Sequence, residues 1–91
     1  MMADLSGITL AMVMSLAPPV QYDYEPVVPY HISYTSQQRV EELCPSPGAF
    51  NLSLGCTLPD LGLIYVVKSL NPRVRDFIVR HEKAHINGWK H

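Results

Sequence analysis

The stretch NPRVRDFIVRHEKAHINGWKH, Asn71 to His91, decides how the rest of this chain is read. Asn71 is a favoured N-cap, and Pro72 takes the first helical position, where a missing amide donor costs nothing. Val74, Phe77, Ile78, His81, Ala84 and His85 then recur at steps of three and four, so one apolar stripe runs straight into the histidines. Asn87-Gly88 supplies the stop, because glycine readily adopts the left-handed conformation that ends helices. The pattern predicts a helix near residues 72 to 87, with His81 and His85 projecting from one face a turn apart.

Upstream of that helix, Phe50 to Leu54 and Leu61 to Lys68 read as strands, joined by a Gly-Cys-Thr-Leu-Pro-Asp connection. The second alternates, with Leu61, Leu63, Tyr65 and Val67 on one face and Ile64, Val66 and Lys68 on the other. HISYT, from His31 to Thr35, reads as a short strand. Ser36 then offers an N-cap to QQRVEELC, whose Val40, Leu43 and Cys44 suggest a two-turn helix stopped by PSPG at Pro45 to Gly48. Ala17 to Tyr30 holds four prolines and no helical periodicity, so it is expected to be extended and packed along the domain surface.

Two imidazoles held at i and i+4 can both reach one zinc ion at about 2.0–2.1 Å. Glu82 lies off that line of ligands but within reach of a water on the metal. Zinc brings the pKa of such a water to about 7, so a carboxylate there can take its proton near neutral pH. Gly88 lets the chain reverse, and His91 can swing back as a third ligand, leaving a fourth position open as a catalytic zinc requires. The competing reading of His91 is a frayed terminal residue.

The string H-E-x-x-H-x-x-G-x-x-H, filled by His81, Glu82, His85, Gly88 and His91, resembles the zinc signature of the metzincin metallopeptidases. The resemblance covers the last eleven residues. It implies a zinc endopeptidase with His81, His85 and His91 as ligands, Glu82 as general base, and a peptide or protein substrate. That substrate would lie extended against an edge strand, for which Leu61 to Lys68 is the candidate. Metzincins continue to a methionine-containing turn beneath the metal, whereas the four methionines here all lie in the first fourteen residues. The expectation is therefore either a piece of a longer zincin or a minimal one that is metzincin-like at its site. The H-I-N-G-W portion also resembles small HExxH proteins of bacterial phages and conjugative elements, a likeness that implies no particular activity.

The whole reads as α+β: a small domain with a short β-sheet or hairpin packed on a C-terminal zinc-binding helix. Residues 1–17 form a signal-like apolar segment, 18–30 a proline-rich arm or linker, and 31–91 a minimal zincin-like domain. In the first of these, Ser15 and Ala17 suit a signal-peptidase site, while Asp4 and Pro18 do not. An unusual export signal, making the protein periplasmic or secreted, stands there beside a core helix. Its apolar run, Ile8 to Leu16, is about half of what a span of ~20 residues needs, so no stable membrane span is expected. Seven Lys and Arg against eight Asp and Glu, with no basic block, leave no nucleic-acid footprint. Cys44 and Cys56 are the only cysteines and suit either a short-loop disulfide or two small buried thiols. His31 reads as a polar strand-end residue and Trp89 as a plug over the helix end. The reading from another class is a non-catalytic binding or assembly module in which a structural zinc organises a small core.

Overall fold

The computed structural model describes residues 17–44 and 54–90. The signal-like segment up to residue 16, the PSPG stop, residues 50–53 of the expected Phe50–Leu54 strand and His91 lie outside the described residues. The fold is α+β. Strands β1 (His31–Thr35), β2 (Gly55–Leu58) and β3 (Leu63–Val67) form one sheet in the order β1-β3-β2. Helix α1 (Gln37–Leu43) lies between β1 and β2 in the chain, and helix α2 (Pro72–Ile86) follows β3.

Both helices begin where their capping residues place them. The Ser36 side chain accepts from the Arg39 amide at 3.1 Å, and the Asn71 side chain accepts from the Arg73 amide at 2.9 Å. Each satisfies an amide that the first helical turn leaves without a partner. Helix α1 contributes a fully buried Val40, and α2 contributes Ile78 and Ala84 to the interior.

β3 runs through the middle of the sheet, parallel to β1 and antiparallel to β2. Its Ile64, Val66 and Val67 are fully buried. This central place corrects two expectations. Leu61 is not in the strand; it closes a short 3-10 turn (Pro59–Leu61) and is 68% exposed. Nor is β3 an edge to which a substrate backbone could add, because β1 and β2 take up both of its sides. Among the described residues, the free edges belong to β1 and β2.

A third correction concerns the Gly-Cys-Thr-Leu connection, which is itself the strand β2. Four residues without apolar alternation carry little strand signal of their own, so it is the pairing with β3 that makes them extended. Gly55 is essential to how α2 sits there. A Cβ at that position would stand 2.7 Å from the Tyr65 carbonyl oxygen and 3.1 Å from Ile78 Cγ2. Glycine lets the helix lie close against the strand. Since side chains alternate along β2, Thr57 shares the helix-facing side with Gly55 while Cys56 points to the opposite face. There Cys56 is bonded to Cys44, the residue that ends α1, so the cysteines form a disulfide rather than two thiols.

The proline-rich arm packs along α2. Arg80 pairs with Asp23, and Lys83 donates to Glu25 at 2.7 Å. Asn87 donates its side-chain amide to the carbonyls of Tyr22 and Tyr24, at 2.9 and 2.8 Å. Residues 80, 83 and 87 share one stripe of the helix, at steps of three and four. Glu25 also accepts from the Tyr30 hydroxyl, over whose ring the Lys83 ammonium lies at 5.5 Å. Among the described residues no helix is long and apolar enough to cross a membrane.

Candidate metal centre

The stripe that seats α2 on the sheet continues past Ile78 into His81 and Glu82, which the same packing buries to 8% and 6% exposure. Periodicity thus places two polar side chains where an apolar helix would carry Leu or Ala. Buried polar groups need partners, and each partner here comes from a different part of the fold.

The Nε2 atoms of His81 and His85 approach to 3.2 Å, with the rings edge to face. His85 Nδ1 lies 2.6 Å from the Trp89 carbonyl oxygen. A carbonyl can only accept, so Nδ1 carries the proton and donates it. In the neutral ring the lone pair of His85 is then on Nε2, turned toward His81. Trp89 reaches this place because of the helix end. Gly88 takes φ +105°, its amide bonds the His85 carbonyl at 3.1 Å, and the Trp89 amide bonds the Ala84 carbonyl at 3.0 Å. These two bonds form the closure of a Schellman motif. It folds the indole over the histidines, stacked on His85 with an interplanar angle of 7° and edge-on to His81, both at 4.9 Å between centroids.

No family model, curated protein or solved structure matches this chain.

Two nitrogens bound to a tetrahedral zinc at about 2.0–2.1 Å each stand about 3.3 Å apart. The 3.2 Å between the two Nε2 atoms fits that edge of the tetrahedron. Neutral imidazole with Nδ1 hydrogen-bonded to a carbonyl is also the usual state of a zinc-ligating histidine. Among the described residues no group of three or more His, Cys, Asp or Glu is arranged to hold a metal ion. The third ligand in the signature, His91, lies outside the described residues.

Glu82 is held from β2. The Thr57 hydroxyl stands 2.6 Å from Glu82 Oε1 and 3.0 Å from the Glu82 carbonyl oxygen. With one proton to give, it favours the carboxylate, the stronger acceptor. Burial pushes the Glu82 carboxyl above its ordinary value, against the opposing effects of the Thr57 hydrogen bond and the His85 imidazole. His31 is exposed at the first residue of β1.

Thr57 and the Trp89 carbonyl are the site residues that the sequence conceals. Thr57 is 25 residues from Glu82, and only the register of β2 brings them together. Trp89 does have a local signal, since a residue directly after a helix-ending glycine returns toward the helix.

Proposed function

We propose that this chain is a small zincin with a metzincin-like signature, hydrolysing peptide bonds with zinc held by His81, His85 and His91 and with Glu82 as the base. The observation that carries this reading is the approach of two Nε2 atoms to 3.2 Å on the helix face that also holds Glu82. Zinc, when bound, supplies a Lewis acid that polarises a carbonyl and makes water acidic near neutral pH. The chain's own residues supply the rest. The Trp89 carbonyl keeps the His85 proton on Nδ1. Thr57 ties one oxygen of Glu82, which leaves the other to accept a proton from water and pass it to the leaving amine.

One observation favours a second reading, a non-catalytic assembly module with a structural zinc. Glu82 is nearly as buried as the core, and its hydrogen bond to Thr57 joins helix to strand.

Glu82→Gln and His85→Ala separate the two readings. If zinc is catalytic, Glu82→Gln keeps metal and fold but loses about 10²–10⁴-fold in hydrolysis, because an amide cannot take the proton. His85→Ala then loses metal and hydrolysis together. Metal content, thermal melting and cleavage of an unbiased peptide mixture are the measurements. A Glu82→Gln protein that cleaves at the wild-type rate removes the base assignment. A wild type that binds zinc and cleaves nothing favours the assembly module.

A further inference from the structure

Resting on the metal-site reading above, we propose that Trp89 is the positioning residue of the histidine pair: one residue that sets the tautomer of His85 and the ring planes of both imidazoles. Gly88 makes this possible through its backbone. Nothing lies within 4 Å of a Cβ built on it, so the position needs glycine for its φ of +105° and not for room. That angle, with the two amide bonds at the helix end, sends the chain back along α2 instead of away from it.

Two parts of Trp89 then act on the histidines. Its carbonyl accepts from His85 Nδ1 at 2.6 Å and so leaves Nε2, which faces His81 Nε2, as the ring nitrogen that could take a metal. Its indole lies flat on His85 and meets His81 edge-on, at 4.9 Å in both cases. One rigid ring in contact with both thus fixes two imidazoles that a helix alone would leave to turn about their side-chain torsions. Ordering ligands before the metal arrives lowers the entropy lost on binding, and partners that orient zinc ligands in this way typically change affinity by 10–100-fold. A plug over the helix end would protect the hydrophobic interior to the same extent, but would have no effect on affinity for metal.

The test is calorimetric titration of zinc chloride into the metal-free full chain, for wild type, Trp89→Ala and Trp89→Phe. Each is also melted in the presence of chelator. We expect about 10–100-fold weaker zinc binding in Trp89→Ala, and recovery of most of it in Trp89→Phe, which keeps a flat ring. Trp89 is also the only tryptophan of the chain, so its emission serves as an independent probe. In wild type it should be quenched by cobalt(II) and saturate at one equivalent. Should Trp89→Ala melt too low to titrate, Trp89→Leu, which keeps an apolar plug without a flat ring, takes its place. Zinc affinity unchanged in Trp89→Ala, or emission indifferent to bound cobalt, overturns the role of Trp89 alone. A wild type that takes up no zinc removes the metal-site reading, and this inference falls with it.

Discussion

Thr57 anchors a buried carboxylate with one short hydrogen bond, and that makes its hydroxyl the most consequential small group in the site. Thr57→Val keeps the shape and removes the donor. A buried acceptor that loses its partner typically costs about 1–3 kcal/mol. The variant should therefore melt lower than wild type, and hydrolysis should fall through kcat while zinc affinity stays unchanged. Thr57→Ser should restore both. Equal loss of zinc binding in Thr57→Val would mean that the hydroxyl supports the whole site and not Glu82. The alignment of His81, Glu82 and His85 was legible in the sequence because it depends only on the helical repeat, which is local. Thr57 was not legible, since its place depends on two strands pairing in one register. Trp89 was visible as a residue capping the helix, but its stacking on His85 depends on the particular backbone turn that Gly88 makes.

At the scale of elements, α2 works as a beam loaded on two sides. The sheet takes its buried stripe, and the arm takes the stripe of Arg80, Lys83 and Asn87. The hydrogen bond from Arg80 holds the Asp23 carboxyl below its ordinary value of 3.8, and the bond from Lys83, with that from Tyr30, holds Glu25 below 4.5. A carboxyl lowered by folding contributes stability that is complete above its unfolded value and lost as pH falls through the folded one. The arm should accordingly loosen from α2 only in acid, below about pH 4, while the sheet persists. Amide exchange or limited proteolysis across residues 18–30 would follow this, and the double variant Asp23→Asn, Glu25→Gln should show a weaker arm whose protection barely changes over that range. An arm in the wild type that stays equally protected down to pH 2 would contradict the role of these pairs. Where an element announces itself locally, as α1 and α2 do through Ser36 and Asn71, sequence and structure agree to within a residue. β2 did not announce itself, because its extended form comes from its neighbour.

For the whole molecule, the disulfide is the main staple of a small core. Cys44 and Cys56 close a loop of twelve residues' separation, worth about 3 kcal/mol in the loop-entropy picture. Reduction should lower the urea midpoint, and with it the hold of β2 on Thr57; a midpoint indifferent to reductant would mean that the bridge adds nothing to stability. The parallel pairing of β1 with β3 has a further consequence, one of timing. His31 meets Leu63 across 32 positions of chain, and Asp23 meets Arg80 across 57. Such distant partners cannot be joined until large loops have closed, which slows folding in proportion to how non-local the contacts are. On the ribosome the arm emerges before its partners on α2, which lie 57 to 65 residues further along the chain. The arm therefore waits for α2 to be made before Asp23, Glu25 and the carbonyls of Tyr22 and Tyr24 can take their partners.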